Sequence, residues 1–312
     1  MLRYVIRRIL YAVPILIGVL LLTFFLFFGT QSPDSIARRN LSSRNPTPAQ
    51  IKQWLDDHGY NKPIGVQLKK STVDMLLFNF GKSDASGEDI WGRIKQGAGP
   101  SGTIAGLSFL TSLFVALTCA ITVAYFRGTY VDNYATLLCV LIMSISSVVY
   151  VIALQFFLAK VLRYGPVWGF SPQDNARFVL IPVAVGTING LGASIRLYRT
   201  FLLDEINQDY VRTARAKGVP EQLILMKHVL KNAMVPLITS NVSAIPTLIL
   251  GGLLVESFFG IPGLGTYTVD AINSQDFAIV RAMVFLGTLL YIIGNILNDI
   301  CYALVDPRIR LE

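Results

Sequence analysis

The sequence predicts an all-α polytopic membrane protein with six transmembrane helices and a small helical extracytoplasmic domain after the first. Three observations carry this. The 312 residues are 53% hydrophobic and only 15% charged, well below the ~25% charged residues of an ordinary soluble domain. The apolar residues gather into six runs without Asp, Glu, Lys or Arg, at 9–33, 96–126, 133–159, 178–195, 232–255 and 282–298. Each is close to the ~20 residues with which a helix crosses a bilayer, allowing for tilt and interfacial ends. Third, the runs mostly lack the polar residue that recurs every 3.6 positions on a soluble helix. That weighs against six buried helices of a soluble protein.

The first segment, 1–28, opens with Arg3, Arg7 and Arg8 before its apolar run. The apolar part exceeds the 7–15 residues of a secretory leader, and no small-x-small site follows Phe28. A retained first span is expected, with a cytoplasmic N-terminus. Residues 29–95 are too polar to span and are expected to form the extracytoplasmic domain. Thr47 and Pro48 read as the N-cap and first position of a helix that stops at Gly59. A second helix is expected from Ile64 to Phe78. The 81-GKS-83 stretch is a fragment of a phosphate-binding loop, but the glycine required five residues earlier is Leu76. No nucleotide site is expected there, and this chain alone should not hydrolyse ATP.

Segment 96–196 holds spans two to four, with turn signals at Gly165-Pro166 and Ser171-Pro172 in an outer loop. Segment 197–233 is a polar, basic insert. Segment 234–312 holds spans five and six and a cytoplasmic C-terminus. Span five carries Pro246 and then Gly251-Gly252, and an interior proline bends a helix and frees a carbonyl. Pro246 is therefore a pore or gating candidate. The following 256-ESFFGIPGLG-265 is apolar yet rich in Gly and Pro; it reads as a turn or partly re-entrant loop at the outer surface, buried against protein, with Glu256 as a second candidate. In span six, Asn295 stands one turn before Asp299 on the same face, and both are further pore or gating candidates. An acidic group there should face protein or water, and pairing with a basic residue near the cytoplasmic interface is expected. No chain of such groups crosses the membrane depth, which weighs against a proton-coupled carrier.

Charge asymmetry sets the orientation. Six spans place both termini on one side, together with Arg127, Arg308, Arg310 and the seven Lys and Arg between Arg196 and Lys231. The short loops of the other side carry only Lys160, Arg163, Arg177 and Arg281. Long loops translocate largely regardless of charge, so the basic residues of 29–95 do not count. The insert then faces the cytoplasm. The net charge of +8 follows mostly from this topology and calls for no nucleic acid partner. Cys119, Cys139 and Cys301 all fall in spans, as small hydrophobes. His58 and His228 stand far apart without a ligand motif, so neither a disulfide framework nor a metal site is expected.

The insert reads 209-DYVRTARAKGVPEQLILMKHVLKNAMVP-236, two helices around a breaker. Asp209 can cap the first. Tyr210, Val211 and Ala214 share one face, and Arg212, Arg215 and Lys217 lie around the other. Gly218 accepts the left-handed conformation that ends a helix. Pro220 starts the second, with Glu221 near the positive end of its dipole. Leu223, Lys227 and Leu230 form one stripe, flanked by Ile224, Met226 and Val229. One reading is a basic amphipathic segment on anionic lipid. The other is a docking element, favoured because Ala214, Ala216 and Gly218 allow close backbone approach and the first helix offers few lipid-seeking side chains.

YVRTARAKG followed by HVLKNAMVPL resembles the cytoplasmic loop signature of integral permease subunits of ATP-binding-cassette importers. More narrowly, it is similar to the dipeptide, oligopeptide and nickel permease family, in its first-subunit branch. The general signature is Glu-Ala-Ala, three residues, then Gly. Here the Glu slot holds Arg212, the first Ala slot holds Thr213, and only Ala214 and Gly218 match. The peptide branch's Arg-Thr-Ala-Arg-Ala-Lys-Gly stands intact at 212–218. RYVIRRIL, FGKS, 256-ESFFGIPGLG-265 and 306-DPRIR-310 agree, so the resemblance covers most of the chain. It departs at 97-GAGPSGTIAGL-107 and in a short outer loop between spans three and four.

The resemblance implies a type I importer permease fold without catalytic residues. It implies a bacterial inner-membrane location and a pore shared with a second homologous permease. Tyr210, Arg212, Thr213, Ala214, Arg215, Ala216, Lys217, Gly218 and Glu221 would be the ATPase-coupling segment. Two cytoplasmic ATPase subunits would hold ATP and magnesium, and a periplasmic or lipid-anchored binding protein would deliver a di- or oligopeptide. Uptake of nickel complexes or antimicrobial peptides occurs in the same family. A secondary transporter would instead require internal repeats and ion-coupling carboxylates, and a non-transporting membrane scaffold would need neither a bent span nor a coupling helix.

Overall fold

A computed structural model describes residues 2–30, 32–41, 46–164, 168–169, 175–242, 244 and 252–305. Pro246, Gly251, the two outer-loop turn pairs and 306-DPRIR-310 lie outside them. The described residues are helical, apart from turns and one isolated bridge between Lys82 and Asp89. Among the described residues, four helices are long and apolar enough to cross a membrane, at Ile6–Leu26, Ile90–Tyr125, Phe178–Ile206 and Phe277–Cys301, or five if one bent pair is a single span. The run at 232–255 is represented by Leu230–Val242.

The chain divides into two compact units. One comprises Met1–Gly97 with Tyr267–Ile293. It begins with α1 (Leu2–Thr30), which carries Pro14 inside. Next comes α2 (Pro33–Asn40), with Pro33 in its first turn and Asp34 at its positive end; this helix was not anticipated. Helix α3 (Pro48–His58) starts where expected. The Thr47 hydroxyl and the Gln50 side chain satisfy each other's backbone N–H groups in a capping box, and Gly59 ends the helix in the left-handed conformation. Helix α4 (Ile64–Leu76) stops two residues before the expected Phe78. Ala37, Ile51 and Leu55 form a small core beneath α2 and α3.

The 81-GKS-83 stretch serves this unit structurally. The buried Ser83 hydroxyl donates to Asp276, whose same oxygen takes the Ala85 N–H at 3.2 Å. The other Asp276 oxygen accepts the Ile279 N–H at 3.3 Å and so caps the last helix. Helix α5 (Ile90–Tyr125) begins before the expected start of span two. The reason is Asp89, whose carboxylate accepts the Gly92 N–H at 2.7 Å as an N-cap.

The second unit is Ala98–Thr266 with Gly294–Leu311. The expected third span is not one straight helix. Helix α6 (Tyr130–Ser144) and α7 (Ser147–Leu154), continued by a π-helical Gln155–Val161, meet at 93°. Ile145 and Ser146 at the break are extended. Ser144 turns its hydroxyl back on the Val140 carbonyl at 2.8 Å, and Tyr150 reaches across to the Ile142 carbonyl at 2.7 Å. The Tyr150 bond reaches a carbonyl of the last turn, one of those that an interrupted helix leaves open.

Helix α8 (Asn175–Ile206) runs well past the expected end of span four. Ile195, Tyr198, Leu202 and Ile206 recur every three or four residues and are all buried. This apolar stripe carries the helix through the cluster of charges that had suggested a loop from 197.

Candidate functional site

The basic insert folds as two short helices after α8. The first, α9 (Asp209–Ala216), has Gln208 at its N-cap position. Asp209, expected as the cap, instead stands in the first turn, where its carboxylate meets Arg212 at 3.4 Å. The helix ends as a Schellman turn. The Gly218 N–H donates to the Arg215 carbonyl at 2.9 Å and the Val219 N–H to the Ala214 carbonyl at 3.3 Å. Gly218 has φ +76 and open space where a side chain would stand. Pro220 then leads into α10 (Glu221–Ile224), a π turn at Leu225–Val229, and α11 (Leu230–Val242), which contains Pro236.

Two faces of α9 have opposite fates. Val211 is fully buried and Ala214 is nearly so, in one core with Ala116, Ala120 and Ala124 of α5 and Leu202 and Ile206 of α8. Ala214 was expected on the docking surface; its place against the bundle corrects that. Arg212, Thr213, Ala216, Lys217 and Gly218 remain exposed. Tyr210 is half-buried, and its hydroxyl donates to Glu205 at 2.7 Å.

The second helix corrects a periodicity. Leu223 and Lys227 are exposed, while Ile224, Leu225, Val229, Ala233 and Leu237 are buried in the same core. The π turn, with its i→i+5 bonding, brings Ile224 and Val229 to one side although they are five residues apart. A strict 3.6-residue period misses this.

The corner between the two helices is locked by charge. Arg215 forms a two-pronged bond to Glu221, Nε to Oε2 at 2.9 Å and Nη2 to Oε1 at 2.6 Å. The guanidinium holds the Glu221 carboxyl below its ordinary range, and the carboxylate raises Arg215 in turn. Arg215 therefore belongs to the corner, not to the free basic face.

A second lock, unmarked in the sequence, ties α8 to α6. Arg199 donates from Nε and Nη2 to the two Asp132 oxygens at 2.8 and 2.7 Å. Asp132 is buried and also takes the Gly128 N–H at 3.0 Å. Within a bundle this pairing satisfies a charge that would otherwise be costly. An acidic residue directly before the apolar run at 133–159 was the available signal. Nearby, the Tyr198 hydroxyl donates to Asn241 at 2.6 Å and so joins α8 to α11.

The remaining candidates do not form one cluster. Glu256, in α12 (Leu253–Phe259), is buried, and its carboxylate accepts the Gly265 and Thr266 N–H groups at 2.7 and 3.4 Å. These amides open α13 (Leu264–Ser274), so Glu256 caps the next helix across the turn. A side chain at Gly263 would overlap the Glu256 carboxylate and the Ser101 hydroxyl. Glu256 is thus committed to the backbone rather than turned into an open passage. Asn295 is exposed and Asp299 half-buried on α14 (Phe277–Val305). A cleft of about 240 Å³ among α5, α8 and α11, unseen in the sequence, is lined by uncharged groups that include Ser108, Ser112, Ser194, Tyr198, Ser240 and Asn241. No group of His, Cys, Asp and Glu able to hold a metal occurs among the described residues.

Two family models match the chain. Residues 112–311 match the binding-protein-dependent transport system inner membrane component, and residues 1–87 match the N-terminal component of such systems. The oligopeptide transport system permease protein AppB of Bacillus subtilis is 30% identical over 98% of this chain and 99% of its own. A putative peptide permease protein of Brucella suis is 30% identical over the full length of both. A probable peptide ABC transporter permease protein of Sinorhizobium fredii is 28% identical over 98% of this chain. With apolar helices that can cross a bilayer and a family match over most of its length, the chain belongs to the multi-pass inner-membrane permease components of binding-protein-dependent ABC transport systems.

Proposed function

We propose that this permease imports di- or oligopeptides and pairs with a second, homologous permease to enclose the pore. Both termini and the segment 209–221 face the cytoplasm. That segment seats in a cleft of an ATPase subunit, while ATP and magnesium remain on the ATPases and a binding protein delivers solute from outside. The carrying observation is the division of α9. Its inner face is continuous with the core of the spans, and its outer face presents Arg212, Ala216, Lys217 and Gly218. A movement imposed on the outer face must move α5 and α8, because packed interiors transmit displacement instead of absorbing it. The coupling is then a difference in docking and packing free energy between two states.

The neutral cleft at Ser108, Ser112, Ser194 and Asn241 supports a passage for polar solute on this chain's side. Its hydroxyls and amide offer hydrogen bonds without a fixed charge that would trap a zwitterion. The test is Ala216→Trp, which adds bulk to the exposed face without the backbone strain of a change at Gly218. Co-purification with the cognate ATPase subunits should fall at least about tenfold, and peptide uptake with it, while detergent-solubilised folding is retained. Undiminished capture of the ATPases would overturn the docking assignment.

A further inference from the structure

The unit comprising Met1–Gly97 and Tyr267–Ile293 contains a cavity of about 400 Å³. It opens between α4, the turn after α3, the loop after α4 and the first turns of α14. Four cations line it, Lys62, Lys70, Lys82 and Arg281, against two carboxylates, Asp74 and Asp84. Lys70 and Asp74 are one turn apart on α4 and so share a face. Its floor is apolar, with Phe24, Met75, Phe80 and Ala278 buried.

Arg281 is the telling residue. It is half-buried, yet among the described residues its guanidinium is held only by neutral oxygens, Ser71 Oγ at 3.4 Å and the Phe277 carbonyl at 3.3 Å. A guanidinium has five donors in a fork that matches a carboxylate. Leaving such a group part-buried without an anion is unfavourable. Lys62, Lys70 and Lys82 form no ion pair among the described residues. Asp84 accepts the Tyr60 hydroxyl at 3.2 Å. The site thus has an excess of positive charge over low-dielectric walls, which concentrates the field within it. Its volume is that of a small-ligand pocket.

We propose that this cavity binds a short free peptide, its C-terminal carboxylate on Arg281 and Lys70 and its ammonium end toward Asp74 or Asp84. The peptide identity rests on the transport reading above; the carboxylate site rests on the cavity alone. In this role the permease holds solute itself, on residues other than those that line the hydroxyl-rich cleft.

The experiment uses the full chain in lipid nanodiscs, without ATPase or binding protein. Binding of trialanine, trialanine amide, N-acetyl-trialanine and inorganic phosphate is measured by calorimetry. Trialanine should bind, the amide should bind about tenfold or more weakly, and Arg281→Gln should weaken trialanine by a similar factor, as expected for loss of a charge-assisted bond. Lys70→Gln, at an exposed position, should weaken it too, and covers the case in which Arg281→Gln fails to fold. The acetylated peptide should lose affinity through its missing ammonium. Equal binding of acid and amide, no trialanine binding, or phosphate binding as tightly as trialanine would each overturn the proposal. ATPase capture by the same variants should be unchanged, so failure here is distinct from failure of the coupling assignment.

Discussion

Asp132 and Arg199 hold charge inside a bundle by satisfying one another through two parallel bonds. Asp132→Asn keeps the shape but removes the charge that balances the guanidinium. Breaking a fully buried pair costs about 3–5 kcal/mol. Arg199 is 26% exposed, so a smaller loss, about 1–3 kcal/mol, is expected, read as a lower unfolding midpoint in detergent. Arg199→Lys should recover only part of it, because an ammonium cannot bond in the same fork. Glu221 shows the opposite setting, at the surface. Its folded-state pKa lies below the ordinary value because of Arg215. Its stabilisation is therefore complete above the unfolded value, ~4.3, and is lost as pH falls through the lower folded value. With both side chains partly exposed, it amounts to about 1 kcal/mol or less. Hydrogen exchange of amides 213–221, corrected for intrinsic rates, should be flat from about pH 7 to 5 and rise below about pH 4. Glu221→Gln should remove the step.

Among elements, the coupling role proposed for α9 can be split into holding a partner and transmitting its movement. Val211→Ala removes two methyl groups from a fully buried site and should cost about 1–3 kcal/mol. ATPase subunits should still co-purify, because the outer face is untouched. Peptide uptake per ATP hydrolysed should fall, since the joint between α9 and the core is loosened. A variant that loses capture and uptake together would show that this face serves docking as well. The π turn after α10 belongs to the same joint. Without it, Ile224 and Val229 could not both be fully buried against α5 and α8.

At the scale of the whole molecule, the proposed orientation rests on the Lys and Arg of the short loops. In intact cells, Lys52→Cys should react with a membrane-impermeant maleimide and Lys217→Cys should not. The reverse pattern would invert the topology and move α9 away from any cytoplasmic ATPase. The chain bends by 93° between α6 and α7. This bend makes the run at 133–159 a broken span or a re-entrant segment, although its composition is that of a plain span.

Local chemistry was therefore legible. Charge-free runs marked most of the apolar helices, Thr47-Pro48 and Gly59 bounded α3, and Gly218 marked the end of α9. These features depend on residues near in sequence: a cap, a breaker, or enough apolar length for a bilayer. The signature at 212–218 also led to the family, since a specific order of residues survives without any knowledge of packing. The faces were not legible. Ala214 turned inward, Glu256 became the cap of a neighbouring helix, and Arg199 left the supposed loop to pair with Asp132. Glu256 depends on a partner 9 positions away and Arg199 on one 67 away, and Ala214 on a core that reaches back to Ala116. One π turn also shifts the period on which any reading of helix faces relies. Only the tertiary structure, by placing those partners within hydrogen-bond distance, decides which side of a helix is core and which is left for another molecule.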